Sequence, residues 1–372
     1  MPAPLAHSLS QTWPPFVLIA GLLLVGTAAA ADRLFEVAGE RLGRLPGGGA
    51  WLFASLMLLV AAVTVVLNLD TSVVFLTPIV LQAARSRGLD ETAFLYGVVA
   101  MSNSASLLLT GSNLTNLLVL HGRGATGAGF AAGMAPAWGA AVVVTLVVLL
   151  AWRHRDLVGA RAQRPAPAGA TTLAPTGGPG ATTRHEPALH VGPGVAATAV
   201  AAALVVALGD PAPWVLAVGA VAVGAQVASG RLTWRPTVRA LGPVTLAGIF
   251  VLAVALGWLA RAWGGPARLL AHLGTTATAW LAVGASVVVN NLPAAVLLSA
   301  RQPAHARALL LGLDLGPNLA VTGSLSALLW FRVARASRAR PSARTYSVLG
   351  AVLVPCTVFA ALGATVVAPH SL

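Results

Sequence analysis

Two acidic residues stand where an acid is costly. Asp70 lies in VVLNLDTSVVFLTPIVL (65–81), with no ionisable side chain in residues 50–67 and none after it until Arg85. Asp314 lies in a second apolar stretch, GLDLGPNLAVTGSLSALLW (312–330). The remaining eight acids (Asp32, Glu36, Glu40, Asp90, Glu91, Asp156, Glu186 and Asp210) all fall between apolar segments. A carboxylate in a low-dielectric setting must be compensated by a proton, a cation or hydrogen-bond donors. Asp70 and Asp314 therefore read as ion-coupling groups, each able to load and release a proton or to hold Na⁺. The plainer alternative is a structural acid bonded to nearby backbone amides.

Uncharged polar side chains crowd the same stretches. Asn68 and Thr71 flank Asp70; Thr110, Ser112 and Asn113 lie in SNSASLLLTGSNLTNLLVL (102–120). Asn290 and Asn291 lie in SVVVNNLPAAVLL (286–298), and Asn318, Thr322 and Ser324 follow Asp314. These ten are the candidate substrate contacts. Amides, hydroxyls and free N–H groups at helix starts suit an anion or a hydroxyl-rich neutral solute. Capping explains the hairpin asparagines as well, and helix–helix hydrogen bonding competes for Asn318, Asn103, Ser106 and Asn116. No nucleotide-binding loop, metal-ligand spacing or nucleophile–base pair is present, so no catalytic residue, metal site or enzyme is expected. His121 and His272 read as solvated loop residues. Cys356, the single cysteine, reads as a small buried hydrophobe and precludes an intrachain disulfide.

The elements that must position these residues are membrane helices. Of 372 residues, 57% are hydrophobic and 9% charged; mean hydropathy is +0.82. A soluble domain carries about 25% charged residues. Apolar segments recur at 14–31, 50–67, 93–109, 130–152, 194–228, 243–260, 277–300, 305–330 and 346–368, several reaching the roughly 20 residues that cross a bilayer. They lack barrel-strand alternation, so the chain reads as an all-α polytopic membrane protein. Residues 14–31 lack the positive flank of a signal peptide and read as a retained span; 32–49 read as a connection. The net charge of +13 comes from 23 Arg and no Lys. Eighteen fall in five connecting segments (33–44, 85–87, 153–184, 231–239 and 332–344), the pattern of positive-inside loops rather than of a nucleic-acid binder.

Asn68–Asp70 separate two apolar arms, 50–67 and 71–84, the second short enough for a re-entrant hairpin capped by Asp70 or Thr71. Residues 92–121 read as a membrane helix broken near Thr110–Ser112. Both patterns return: Val287–Asn290 match Val65–Asn68, with a second arm capped by Asn291 and carrying Pro293 in its first turn. Thr322-Gly323-Ser324 repeat Thr110-Gly111-Ser112. The expected fold is two inverted-topology repeats, each with a re-entrant hairpin and a broken transmembrane helix. Residues 1–152 form the first repeat, 153–192 a flexible cytoplasmic linker, and 193–372 the second repeat with an additional helical pair (194–228). Tracing the spans from a cytoplasmic linker puts all five Arg segments inside, both termini outside, and the hairpins on opposite faces.

At 68–81, 102–118, 290–298 and 314–330 the sequence resembles the arsenite/antimonite efflux permeases (ArsB type) of the ion-transporter superfamily. That superfamily also holds divalent-anion/sodium symporters and NhaD-type sodium/proton antiporters. The resemblance implies secondary transport across the plasma membrane without a cofactor, proton or sodium being the coupling ion. It implies a small inorganic solute, often a homodimer, and in arsenite systems sometimes a separate ATPase subunit; nucleic acid is not a partner. Two departures are notable: the leading helix pair of the family is not found before residue 14, and arsenite pumps carry Lys where this chain has Asn318. The lack of Lys, Arg or His at membrane depth favours a neutral substrate such as As(OH)₃. Na⁺/H⁺ antiport and di- or tricarboxylate transport are the alternatives.

Overall fold

The computed structural model describes residues 3–120, 126–158, 191–235, 238 and 242–366. His121, Arg239 and nearly all of the 153–192 linker lie outside them. The described chain is helical. Its elements are α1 (Ala3–Ala31), α2 (Leu34–Arg44), α3 (Gly49–Val66), α4 (Leu69–Ser86), α5 (Glu91–Ala105), a 3₁₀ turn (Thr110–Ser112), α6 (Leu114–Leu120) and α7 (Gly127–Trp152). After α8 (His154–Val158) come the pair α9 (Pro193–Ala207) and α10 (Ala212–Ala228). The second half is α11 (Pro243–Trp263), α12 (Gly265–Ala271), α13 (Thr275–Val289), α14 (Asn291–Ser299), α15 (Ala306–Leu315), 3₁₀ turns over Gly316–Gly323, α16 (Leu325–Ala336) and α17 (Ala343–Thr365). Ser8–Ala31, Gly49–Val66, Gly127–Trp152, Leu246–Trp263 and Ala343–Thr365 are long and apolar enough to cross a membrane.

The two halves follow one order. Seven helices, α1–α7, match α11–α17: a span, a short helix, two hairpin arms, the two arms of a broken helix, and a closing span. Packing between halves is reciprocal. α1 lies on α11 and α7 on α17; α4 of the first hairpin packs on α16, and α14 of the second on α6. The pair α9–α10 stands outside this match and packs on α1. At the α1–α10 crossing a Cβ on Gly21 would lie 2.6 Å from Leu216 N, and one on Gly219 2.6 Å from the Gly21 carbonyl oxygen, so backbone meets backbone.

Contacts gather the described parts of the five Arg segments at one end of the molecule. Arg87 donates to the Gly43 carbonyl at 2.9 Å, and Arg85 to the Ser337 carbonyl at 2.8 Å. Arg231 reaches Asp32, and the α8 residue Leu157 lies against Gly49, where α3 begins. The first hairpin, α3–α4, opens at this end. The second, α13–α14, opens at the other: Ser299 donates to Leu118 O at the end of α6, as does Gln11, whose side-chain Oε1 accepts from Arg261. The hairpins thus enter from opposite ends, as the inverted repeats require.

Several local expectations differ from the structure. α1 begins at Ala3 and runs through Pro14 and Pro15, because Ser8, Gln11 and Thr12 are buried by neighbouring helices and bonded. Residues 34–44 are a helix, not an open connection: Phe35 and Val37 are buried while Glu36, Glu40, Arg41 and Arg44 face outward. α4 has 18 residues because it takes in polar residues at both ends. Its cap is Asn68, which accepts from Thr71 N at 2.7 Å, rather than Asp70 or Thr71. The second hairpin is capped by Asn290, which accepts from Leu292 N at 3.3 Å, leaving Asn291 inside α14. Cys356 is exposed on the outer side of α17 rather than buried. Asp32 is wholly buried: it accepts from Gly194 N (2.7 Å), Val195 N (3.1 Å), Gln226 Nε2 (2.6 Å) and Arg231 Nη1 (3.4 Å).

Candidate functional site

Each helix break leaves carbonyls and amides that lipid cannot satisfy, and side chains from the polar stretches take them up. At the first break, Ser112 Oγ lies 2.5 and 2.6 Å from the Ser106 and Leu109 carbonyls. Asn116 Nδ2 donates to the same two carbonyls at 2.8 and 3.2 Å. Asn113 accepts from Thr115 N at 3.3 Å, capping α6. At the second break, Tyr346 donates to the Pro317 carbonyl at 2.9 Å, and Ser324 accepts from Ala327 N at 3.0 Å, capping α16. Asn103 donates to Asn318 Oδ1 at 2.7 Å, tying one break to the other. Gly350 presses on this point; a Cβ there would lie 2.0 Å from the Asn318 carbonyl oxygen.

The hairpin tips differ. Asn68 and Thr71 are buried, with Asn68 Nδ2 and Thr71 Oγ1 lacking hydrogen-bond partners. Asn290 has φ 78° and ψ 148°, a region that costs a non-glycine residue about 1–3 kcal/mol. Its side chain holds it there, donating to the Thr322 carbonyl at 2.9 Å and accepting from Leu292 N.

The acids are held across the halves. Asp70, half-buried on the first hairpin, accepts from Ser326 of the second broken helix. Asp314, fully buried before the second break, accepts from Asn113 Nδ2 at 2.9 Å and from Thr115 Oγ1, both on the first broken helix. Neither forms an ion pair among the described residues. Ser326 and Thr115 are each the second residue of the second arm. Matching the arms at their starts pairs Asn113-Leu114-Thr115 with Ser324-Leu325-Ser326, one residue away from the Thr-Gly-Ser register. The Thr-Gly-Ser register instead sets Thr115 opposite Ala327 and Ser326 opposite Leu114, which hides both hydroxyls in the sequence.

A cleft of about 40 Å³ opens between the tips and breaks. Asp70, Asn113, Thr115, Asn291 and Ser326 are its polar lining, one or more from each hairpin and each broken helix. Phe16 and Ile19 of α1 and Leu246 and Ile249 of α11 close one side. Asp70 is the only ionisable group among the described lining residues. The structure thus brings Asp70, Asn113 and Asn291 to one cavity and places Asp314 one layer behind Asn113 and Thr115. Asn68, Thr71, Thr110, Ser112, Asn290, Asn318, Thr322 and Ser324 surround the tips and breaks without lining it.

Opposed hairpins, paired helix breaks and a polar cleft between them define a membrane transport protein. Residues 5–366 match the citrate transporter (CitMHS) family, and the chain belongs to it. Among curated relatives, the arsenical pump membrane protein of Escherichia coli is 26% identical over 351 residues, covering 86% of this chain and 78% of that protein. The Yersinia enterocolitica arsenical pump membrane protein matches at the same identity and coverage. The fold is also that of the Alcanivorax borkumensis YdaH transporter, a structure described as having an unusual topology, with TM-score 0.59 at 17% identity, covering 98% of this chain and 87% of that one.

Proposed function

We propose that this protein is a secondary transporter that exports arsenite or antimonite in exchange for protons. The observation that carries the substrate is the cleft lining. Its one ionisable group is a carboxylate, surrounded by amides and hydroxyls. A multiply charged carboxylate solute would meet Asp70 with like charge and no cation to offset it. A small neutral trihydroxide meets hydrogen-bond partners on every side, and its hydroxyls can donate to Asp70. The arsenical pump relatives support the same substrate class. A proton and a hydroxyl donor compete for one carboxylate, so protonation of Asp70 on one face expels solute bound from the other. Asn68, Asn290 and Asn291 shape the tips; Thr110, Ser112, Asn318, Thr322 and Ser324 keep the breaks in register.

The gathered Arg segments support a cytoplasmic assignment for that end of the molecule in the plasma membrane, with the linker inside and the termini outside. A second reading, Na⁺/H⁺ antiport, is favoured by Asp314 Oδ2, which is buried without a hydrogen-bond donor. Expression in a strain lacking arsenite efflux separates the two. Resistance to arsenite but not to Na⁺ or Li⁺ supports export of arsenite; the reverse pattern rejects it.

A further inference from the structure

The second hairpin opens at the end of the molecule away from the Arg segments, where positive-inside loops leave few cations. Three arginines nevertheless fall around one turn there, the one joining α11 to α12. Arg261, in the last turn of α11, is taken up: it donates to Ser8 Oγ at 2.7 Å, to the Gly257 carbonyl at 3.2 Å and to Gln11 Oε1. Arg268 reaches back from α12 to the Trp263 carbonyl at 3.3 Å. Arg301, two residues beyond α14, lies against the next residue; a Cβ on Gly264 would stand 3.6 Å from its Nη2 and 3.9 Å from its Cζ. Two guanidiniums from distant parts of the chain thus meet at the Trp263–Gly264 peptide.

No acid answers them. The ion pairs among the described residues include neither Arg268 nor Arg301. Asp210, between α9 and α10, is the one described acid at this end, and it accepts from Ala212 N in its own loop at 3.4 Å. A guanidinium carries five donors; among the described residues Arg268 uses one and Arg301 none. Like charges at one point repel unless an anion lies between them. The depth of the pair indicates which anion. The apolar span Leu246–Trp263 ends at the peptide the two guanidiniums share. Trp258 and Trp263 are exposed on α11, as in an interfacial aromatic belt, and Val251, Leu252 and Leu259 continue the same helix as exposed apolar surface.

We propose that Arg268 and Arg301 bind the headgroup of an anionic phospholipid in the leaflet at the mouth of the second hairpin. The phosphate bridges the two guanidiniums, whose paired N–H groups match its oxygens, and an acyl chain lies along the exposed side of α11. A zwitterionic lipid brings the same phosphate with a cation attached, which the two arginines repel. The site is separate from the Asp70 cleft and independent of which solute that cleft carries.

The test uses the purified full-length protein in neutral detergent. Short-chain phosphatidylglycerol, short-chain phosphatidylcholine or inorganic phosphate is added at equal ionic strength. Thermal unfolding is followed, and bound lipid is counted by native mass spectrometry. Phosphatidylglycerol is expected to bind saturably and raise the unfolding temperature, and phosphatidylcholine at the same concentration is not. Arg268→Gln and Arg301→Gln should each weaken binding about five-fold, and the double variant should remove the response. Both side chains are exposed, so the variants are expected to fold. Arg340→Gln with Arg344→Gln, a matched pair of exposed arginines at the opposite end, should leave the response intact. A phosphatidylglycerol response kept in the Arg268/Arg301 double variant overturns the proposal, as does one lost only in the Arg340/Arg344 pair. Equal stabilisation by phosphatidylcholine rejects an anion-selective site, and equal stabilisation by inorganic phosphate replaces the lipid with a free anion; either result overturns it.

Discussion

Replacing Asp32 with Ala should destabilise the protein by about 3 kcal/mol, and the structure indicates where that figure comes from. Oδ2 accepts from Gly194 N and Val195 N in the first turn of α9, whose own cap residue, Gly192, has no side chain to do so. Asp32 is thus an N-cap lent by another helix, and removing such a cap costs about 1 kcal/mol. Oδ1 accepts from Gln226 Nε2 at 2.6 Å in a fully buried setting. A hydrogen bond to a charged group contributes about 1.5–3 kcal/mol, and its loss strands the Gln226 amide. Arg231 is 43% exposed at 3.4 Å, which limits that pair to under about 1 kcal/mol. Asp32→Asn should lose less than Asp32→Ala: its oxygen can still accept from the two α9 amides, and its NH₂ can donate to Gln226 once that amide turns over, since Gln226 Oε1 has no partner in the native arrangement. Arg231→Gln should stay within about 1 kcal/mol of wild type. Unfolding of the purified variants by denaturing detergent or heat gives the ranking. Equal stability of Asp32→Ala and wild type, or an Arg231→Gln loss as large as that of Asp32→Ala, would refute the reasoning.

Ser326→Ala removes the one hydrogen bond that the described residues give the Asp70 side chain and should lower arsenite resistance in a reporter strain at unchanged protein level. Gly350→Ala drives a methyl into the Asn318 carbonyl and should abolish transport, while Gly363→Ala, with nothing within 4 Å, should be silent in the same assay. Tyr346→Phe removes one of two donors to the buried Pro317 carbonyl, which keeps Ala320 N at 3.3 Å; a stability loss of about 1 kcal/mol with reduced transport is expected, and unchanged behaviour would place no weight on that bond. Asn290→Gly relieves the backbone strain at the second tip, so it should be more stable than Asn290→Ala by about 1 kcal/mol in thermal unfolding.

The hairpins and breaks were legible because polar residues inside apolar runs have few physical explanations. Asn68, Asp70, Asn113 and Asp314 announced themselves by composition alone. The sequence points to caps one to three positions too far along, Asp70 or Thr71 for Asn68 and Asn291 for Asn290, since neighbouring asparagines and acids are equally able caps and only backbone geometry selects among them. α2 was hidden by its charged outer face and its glycines. Ser326 and Thr115 were hidden by register: the repeat was matched at Thr-Gly-Ser, whereas the structure matches the arms where their helices begin. Asp32 reads as a connection residue because its donors come from α9, α10 and Arg231 just beyond them, far along the chain. No local pattern reports such a partnership.

The α1–α10 crossing also sets the order in which this protein can be completed. Asp32 and Gln226 are 194 residues apart in the chain. At about 5–20 residues synthesised per second, roughly 10–40 s pass between their appearances. Through that interval α1 has neither the helix its glycines are shaped to meet nor the amides its terminal carboxylate requires. The first half therefore cannot be finished before the second has begun, and nascent chains stalled ahead of α10 should be recognised as incomplete by membrane quality control.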